Sequence, residues 1–201
     1  GGATWTMLGG GLPMLDLSRV GLAISQITPG VVYALYVDTD YNVHSIHKTE
    51  DGGTSWSALS ISSLPDDVLG GFGWYFGQIR VSPADDDELY VLGVSMYKTT
   101  NAGSFWFEST PWSQNVHADK HDMFFIDENT LLLSTDGGLY KSEDAGSNWD
   151  DIEDIPNTQF YRVKVNHHNH EVYYGGTQDN GTIRGNADNL NDWDRIYGGD
   201  G

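Results

Sequence analysis

The feature that most constrains this chain is an eight-residue pattern that occurs three times. It reads Ser/Thr-x-Asp/Asn-x-Gly-x-x-Trp, and we call it the Asp box after its acidic third position. The copies span residues 49–56, 99–106 and 142–149. A single match could arise by chance, whereas three copies in phase indicate a repeated structural unit.

Further tryptophans extend this repeat to both sides. The segment Gly1–Trp5 resembles the end of another Asp box, and Trp193 lies where a degenerate copy would end. The tryptophans at positions 5, 56, 106, 149 and 193 are separated by 51, 50, 43 and 44 residues. This period matches the length of one four-stranded blade of a β-propeller.

The residue types of the Asp box are those that close a tight hairpin. Its glycine tolerates a positive φ, its acid or amide accepts hydrogen bonds from turn amides, and its hydroxyl completes the cage. The tryptophan then packs the turn against the neighbouring strand. We therefore assign a structural role to twelve box residues: Thr49, Asp51, Gly53, Trp56, Thr99, Asn101, Gly103, Trp106, Ser142, Asp144, Gly146 and Trp149.

Between the Asp boxes the chain alternates apolar and polar residues as strands do, and no stretch shows sustained helical periodicity. The sequence predicts an all-β fold, a β-propeller of four-stranded antiparallel blades with Asp-box hairpins. We expect a partial ring of about four blades and consider a closed four-bladed ring as the alternative. The predicted boundaries are 1–13 for the end of a preceding blade, 14–59, 70–110, 115–152 and 158–196 for four blades, and 197–201 for the start of a following blade.

Several further segments support a family resemblance. They are Gly11–Pro13, Arg19–Ala23, Val31–Leu35, Gly73–Val81, Val116–His121, Asp136–Gly138, Thr158–Tyr161, Gly175–Gly181 and Gly198–Gly201. With the Asp boxes, they make the sequence similar to the BNR/Asp-box propellers, which include sortilin-like domains, sialidases and xyloglucanase-like glycosidases. It most resembles large secreted bacterial proteins labelled "glycosyl hydrolase, BNR repeat". The resemblance implies an extracellular or cell-surface location in a bacterium, with type IX secretion as one export route and the signal outside this segment.

Charge and composition narrow the set of partners. The 29 acidic residues against 10 Lys and Arg give a net charge of −19, which disfavours nucleic acid and anionic membranes as partners. The chain has no cysteine, so disulfides and thiol chemistry are excluded. No apolar run is long enough for a membrane helix, and we expect no membrane insertion.

A metal site is one interpretation of the segment around residue 120. His117, Asp119 and His121 alternate, so on a strand their side chains would share one face. Two imidazoles and a carboxylate suit zinc or another divalent cation. The other interpretation is that these three residues are the polar lining of a water-filled channel. We expect that the fold itself requires no cofactor. Calcium at the acidic run Asp85–Glu88 is a second metal hypothesis, against that of a solvated loop.

Four acids are candidates for catalysis: Asp119, Asp136, Asp179 and Asp200. Two carboxylates at a channel mouth could act as acid and base on a glycosidic bond at separations of about 5 to 9.5 Å. Turn formation is the alternative, since three of the four lie beside or near glycine. The five arginines form no evident triad for a substrate carboxylate, which disfavours a sialidase.

Two further groups of side chains have both a binding and a structural interpretation. The aromatic residues Trp74, Tyr75, Phe76, Trp106, Phe107 and Trp112 could stack on sugar rings or could pack within and between blades. His167, His168 and His170 fall between two predicted strands, and we interpret them as surface residues.

The sequence favours a non-catalytic propeller segment that serves as a binding or scaffold module. Its expected partners are the remaining blades of a parent chain and a glycan or protein ligand. A glycoside hydrolase of the xyloglucanase-like kind is the first alternative, and a sortilin-like peptide-binding ring is the second.

Overall fold

The computed structural model of the protein describes residues 2–152, 155 and 158–201. In this part of the chain, sixteen strands form four sheets, and each sheet contains four strands in sequence order. Neighbours in each sheet are therefore consecutive along the chain, which is the up-and-down arrangement of a propeller blade. The prediction of an all-β propeller with four-stranded blades is confirmed.

We number the sheets as blades in chain order. Blade 1 contains β1 (Leu17–Ile24), β2 (Val32–Asp38), β3 (Val43–Thr49) and β4 (Ser57–Ala58), and blade 2 contains β5 (Gln78–Val81), β6 (Leu89–Leu92), β7 (Met96–Thr99) and β8 (Phe107–Glu108). Blade 3 contains β9 (Lys120–Phe125), β10 (Leu131–Thr135), β11 (Gly138–Ser142) and β12 (Asp150–Asp151), and blade 4 contains β13 (Phe160–Asn166), β14 (Asn169–Thr177), β15 (Gly181–Asn186) and β16 (Asn189–Tyr197). A 3-10 turn, Trp112–Gln114, precedes blade 3. No helix in the described residues is long and apolar enough to cross a membrane.

The chain divides into two compact units. The first consists of Gly1–Thr135 and Leu139–Asp151 and contains blades 1, 2 and 3. The second consists of Asp136–Gly138 and Ile152–Gly201 and contains blade 4.

Two apolar clusters hold the first unit together, one at each blade-to-blade interface. The first cluster joins Leu35 of blade 1 to Ile79 of blade 2. The second joins Leu92 of blade 2 to Leu131 and Leu133 of blade 3. All five side chains are fully buried, and burial of each contributes about 1.5–3 kcal/mol by transfer data. The middle strands β2 and β6 are buried on both faces, which explains why both are nearly continuous apolar runs.

The first Asp box is closed by hydrogen bonds between residues that are no more than four positions apart in the sequence. The Thr49 hydroxyl donates to Asp51 Oδ1 at 2.8 Å and accepts from the Gly53 amide at 2.9 Å. Asp51 Oδ1 also accepts from the Ser55 amide at 2.9 Å. Gly53 has a φ of 94°, and Gly52 before it is also left-handed at 69°. The turn therefore needs two successive left-handed residues rather than one.

The second and third Asp boxes repeat this geometry with different residue types. The hydroxyls of Thr99 and Ser142 donate to Asn101 Oδ1 and Asp144 Oδ1 at 2.9 Å each. They accept from the amides of the box glycines at 3.0 and 2.8 Å. The amide oxygen of Asn101 thus occupies the position of a carboxylate oxygen, because the bonds need an acceptor rather than a charge.

Two of the three box tryptophans anchor their blade to the one before it. The indole N–H of Trp106 donates to the Ser60 carbonyl at 3.0 Å, and that of Trp149 donates to the Ser109 carbonyl at 2.9 Å. Both rings are buried. Trp56 is only half-buried and donates to the carbonyl of Gly53 in its own turn at 3.2 Å.

The two flanking tryptophans differ from those of the three Asp boxes. Trp5 is largely exposed. Trp193 lies within β16, opposite Gly185 of β15, so the expectation of a degenerate box ending at Trp193 is wrong. β15 and β16 are joined instead by a tight turn in which Asn186 Oδ1 accepts from the amides of Asp188 and Asn189 at 2.8 and 3.2 Å. An Asx turn needs no glycine, and the box pattern is therefore lost.

Candidate functional site

The segment that precedes β5 exposes a group of aromatic side chains in the first unit. Phe72, Trp74 and Tyr75 are 50–57% exposed. The rings of Trp74 and Tyr75 lie 5.6 Å apart between centroids, and Tyr75 packs edge-on against His121 at 5.5 Å. We call these four residues the aromatic platform. Half-exposed aromatic rings that contact one another form a surface suited to stacking with a ligand.

Backbone hydrogen bonds hold the aromatic platform in place. The Arg19 guanidinium donates to the carbonyls of Trp74 and Tyr75 at 3.1 and 2.7 Å. The Gly73 amide donates to the Tyr41 carbonyl at 3.1 Å, and a Cβ at position 73 would collide with that same carbonyl. The platform is therefore preorganised, which lowers the entropic cost of binding a ligand.

Polar side chains link the first strands of blades 2 and 3 next to the platform. The side-chain amide of Gln78 donates to the His121 carbonyl, and the Arg80 guanidinium forms an ion pair with Asp122. Arg80 also donates to the Met123 carbonyl at 3.3 Å. These bonds fix the strand that carries His121 against its neighbour.

The structure does not place His117, Asp119 and His121 on one strand. β9 begins at Lys120, and Asp119 before it has a left-handed φ of 63°. The amide of His117 donates to the Tyr140 hydroxyl at 3.2 Å, while His121 belongs to the aromatic platform. In the described chain, neither histidine joins a group of three potential metal ligands within 4.8 Å. The strand alternation on which the zinc hypothesis depended is absent, because the chain turns at Asp119.

Lys120, which sequence reasoning did not single out, is the most deeply buried cation near this loop. Its side chain is almost completely buried, and its Nζ donates to the carbonyls of Val94 and His117 at 3.1 and 2.7 Å. Burial lowers the pKa of Lys120 to about 8. The lysine ties the loop before β9 to blade 2.

Three of the four candidate acids come together in the second unit, whereas Asp119 belongs to the first. Carboxylate oxygens of Asp136 and Asp179 lie within 4.8 Å of each other. Asp200 Oδ1 accepts from the Asp179 amide at 3.3 Å, and its Oδ2 accepts from the Tyr161 hydroxyl at 3.4 Å. The hydrogen bond with Asp136, together with burial, raises the pKa of Asp179.

The backbone of the second unit explains this clustering. Asp179 has a left-handed φ of 56°, and the following Asn180 donates through its side chain to the Asp136 carbonyl at 2.7 Å. The turn after β14 therefore lies against the turn after β10. A directly hydrogen-bonded carboxyl pair is closer than the roughly 5 Å or more that flank a glycosidic bond, so in this conformation Asp136 and Asp179 are too close together to enclose a sugar.

The remaining predicted groups are divided between structural contacts and exposed positions. In the acidic run, Glu88 pairs with Lys98 at 3.2 Å, and the Asp86 carbonyl accepts from Tyr33 of blade 1. Among the aromatic candidates Trp106 is buried, whereas Trp112 is 94% exposed. The histidines His167, His168 and His170 are all exposed at the hairpin between β13 and β14.

The four-stranded meanders, three of which contain an Asp-box hairpin, define the chain as a β-propeller protein. Solved structures support this class. The chain is similar to a GH74 enzyme from Niastella koreensis, with 17% identity, a TM-score of 0.52, and coverage of 90% of this chain and 30% of that one. It is similar to the GH74 xyloglucanase of Xanthomonas campestris, with 13% identity, a TM-score of 0.53 and the same coverage. A structure of YCF48 bound to D1 peptide matches with 14% identity and a TM-score of 0.50, over 91% of this chain and 68% of that one.

These similarities concern the fold. The chain spans about 30% of the length of the two GH74 enzymes. No family model matches the sequence, and no curated protein matches it.

Proposed function

We propose that this chain is a non-catalytic β-propeller segment that binds a glycan through the aromatic platform. The observation that carries the proposal is the pair of exposed rings, Trp74 and Tyr75, whose backbone carbonyls are both held by Arg19. Flat apolar rings stack on the C–H faces of pyranose sugars, and a rigid pair does so with little loss of conformational entropy.

The charge of the chain favours a neutral glycan over an acidic one. The net charge of −19 repels anionic polymers at low ionic strength. The guanidinium of Arg19, which lies beside the platform, is engaged with two backbone carbonyls. The platform therefore offers apolar faces and one imidazole, His121, rather than a clamp for a carboxylate.

The proposed module acts outside the cell or at the cell surface, where polysaccharides are encountered. One of the structures with a similar fold is a xyloglucanase, a protein named for a neutral polysaccharide substrate. A non-catalytic role is favoured because Asp136 and Asp179 contact each other and Asp200 accepts from a backbone amide. Those contacts are typical of acids that stabilise turns.

Affinity electrophoresis through gels that contain xyloglucan or another neutral β-glucan tests the proposal. The wild-type chain should be retarded, and Trp74→Ala or Tyr75→Ala should weaken binding about two- to twelvefold, as expected for loss of about 0.5–1.5 kcal/mol of aromatic stacking. Trp112→Ala is the matched control, because Trp112 is an exposed tryptophan outside the platform. Circular dichroism verifies that each variant is folded.

Three results would overturn the proposal. The first is wild-type mobility that none of the glycans changes. The second is retardation that survives both platform substitutions. The third is release of reducing sugar by the wild type and its loss in Asp179→Asn, which would establish the hydrolase alternative. Binding of an extended peptide in place of any glycan would favour the sortilin-like alternative.

A further inference from the structure

Three rings of the aromatic platform belong to residues 59–77, which we call the platform loop. This loop joins β4 to β5 and is longer than the connection 109–119 between β8 and β9. Its apolar residues Leu64, Val68 and Leu69 are buried in the first apolar cluster, so the loop has a packed interior. A packed loop that nevertheless exposes three aromatic rings indicates a binding surface.

The surroundings of the platform are acidic. The platform loop contains no Lys or Arg, and its two charged residues, Asp66 and Asp67, are exposed. The turn 38–42 accepts a hydrogen bond from the Gly73 amide and also lacks a basic residue, while its Asp40 is exposed. Together with the net charge of −19, these acids create a potential that attracts cations and repels anions.

The basic residues linked to the platform already have protein partners. Arg19 donates to two carbonyls of the platform loop, and Arg80 pairs with Asp122. Lys120 is buried and donates to two further carbonyls. Because these donors are directed at protein acceptors, a ligand on the platform meets aromatic faces with exposed acids nearby.

The ring geometry of the platform suits a compact positive group. The planes of Trp74 and Tyr75 are inclined by 55°, with their centroids 5.6 Å apart. One flat sugar cannot lie parallel to both faces, whereas an ammonium group can lie within about 6 Å of both centroids. Aromatic faces carry negative electrostatic potential and attract such a group, tryptophan most strongly. The inclined pair therefore accommodates a sugar ring on one face and a positively charged substituent that meets both.

We propose that the glycan of the aromatic platform is one whose sugars carry free amino groups, with an ammonium over the faces of Trp74 and Tyr75. This inference rests on the proposed function and deepens it by naming the class of glycan. Stacking and the cation–π contact then act on the same sugar, and the negative charge of the chain speeds encounter with the ligand. Acetylation of the amine removes its charge and leaves the sugar ring and the linkage unchanged, so it isolates the electrostatic contribution.

Isothermal titration calorimetry with three β-1,4-linked oligosaccharides of equal length tests this inference. The oligosaccharides consist of glucosamine, N-acetylglucosamine and glucose. The wild-type chain should bind the glucosamine oligosaccharide about two- to fivefold more tightly than either neutral one, which is the magnitude of an exposed cation–π contact.

Substitution by leucine tests where the preference arises. Leucine retains apolar bulk and has no π face, so Trp74→Leu and Tyr75→Leu should each weaken binding and reduce the preference for the amine toward equal affinity. Trp112→Leu is the matched control, because Trp112 is exposed outside the platform loop, and it should keep the wild-type preference. Circular dichroism verifies that each variant is folded.

Salt separates binding at the platform from attraction to the overall charge. Spermine, which carries several amines and no sugar, measures the association of a polycation with any acidic surface. At about 0.5 M salt the Debye length is only about 4 Å, so spermine binding should be lost. The preference for glucosamine should persist there, because the ammonium contacts the rings directly.

Two results would contradict this inference and leave the proposed function standing. The first is equal affinity for the glucosamine and N-acetylglucosamine oligosaccharides, with both weakened by Trp74→Leu. The second is a preference for the amine that neither leucine substitution changes, or that disappears with spermine binding at high salt, which would assign it to surface charge elsewhere. Failure of the wild type to bind any of the three oligosaccharides would instead refute the proposed function, and this inference with it.

Discussion

The hydroxyl oxygen of Tyr90 in blade 2 lies 2.8 Å from the carbonyl oxygen of Ala145 in the Asp box of blade 3. Lys98 Nζ donates to the same carbonyl at 2.9 Å. Ala145 has a left-handed φ of 53°, which turns its carbonyl outward from the box. The Asp box is therefore a point of attachment for the preceding blade as well as a turn.

Blade 1 repeats the Tyr–Lys pair that makes this attachment. Tyr33 and Lys48 are cross-strand partners, as are Tyr90 and Lys98. The Tyr33 hydroxyl donates to the carbonyl of Asp86 in blade 2. Burial raises the pKa of Tyr33 to about 12, so the hydroxyl keeps its proton for this bond at neutral pH.

Tyr90→Phe should lower the free energy of unfolding of the first unit by about 1–2 kcal/mol, because Ala145 and Glu88 lose a buried hydroxyl partner. Urea unfolding followed by tryptophan fluorescence measures the change. Tyr41→Phe, at an exposed tyrosine, is the control and should change stability by less than about 0.5 kcal/mol. Equal effects of the two substitutions would mean that the bond to Ala145 contributes nothing.

Thr99→Val should destabilise the chain by about 1–3 kcal/mol, because the buried hydroxyl of Thr99 accepts from the Gly103 amide and donates to Asn101. The substitution conserves volume, so the loss reports the hydrogen bonds rather than packing. Thr100→Val, at the exposed neighbouring position, is the control. Hydrogen exchange at the Gly103 amide should accelerate only in Thr99→Val, and an unchanged rate there would contradict the assignment.

Low pH should reduce the contribution of the first Asp box to stability and leave that of the second unchanged. Hydrogen bonds from the side chain and amide of Ser55 and from Thr49 lower the pKa of Asp51 to about 2. Because the folded pKa lies below the unfolded value, the stabilisation by Asp51 is present above about pH 4 and is lost as the pH falls toward 2.

Urea unfolding of wild type and Asp51→Asn between pH 2 and pH 6 measures this dependence. The difference between them should shrink in acid, because Asp51 becomes protonated. Thr99→Val, in the box with the uncharged Asn101, should show no such convergence with wild type over this range. A pH-independent difference for Asp51→Asn would contradict the prediction.

Buried Lys120 should make stability rise in mildly alkaline solution. Its pKa is lowered to about 8 by burial, so between pH 8 and about pH 10.5 the folded chain holds fewer protons than the unfolded chain. The free energy of unfolding then increases with pH in this window. The difference in free energy of unfolding between wild type and Lys120→Met should therefore change over the same window. A difference that stays constant from pH 7 to 10.5 would show that Lys120 does not titrate there.

Asp179→Asn should stabilise the second unit at neutral pH by up to about 1 kcal/mol, because it removes one charge from a pair that repel each other. Asparagine also tolerates the left-handed backbone at this position. The gain should decline as the pH falls through the raised pKa of Asp179, where the wild type gains the same proton. Thermal melts at pH 7 and pH 4 provide the measurement, and a loss of stability at pH 7 would contradict it.

The sequence by itself determined the Asp boxes, the strand content and the blade class. Each hydroxyl, acid and glycine of a box finds its partners within four residues, as Thr49 does with Asp51 and Gly53. Bonds of such short range depend only on local backbone geometry, which residue types specify. The same local logic failed at Asp119, where a left-handed residue that the alternation did not reveal ends the expected strand.

Only the tertiary structure decided what lies between distant segments. Trp149 reaches a carbonyl forty residues away, Lys120 is buried beside Val94, and Asp179 meets Asp136 from another hairpin. The aromatic platform likewise needs Arg19, far from it along the chain, to fix its carbonyls. Such contacts depend on how the sheets pack and on which backbone groups each turn leaves exposed. A residue pattern along the sequence contains neither kind of information.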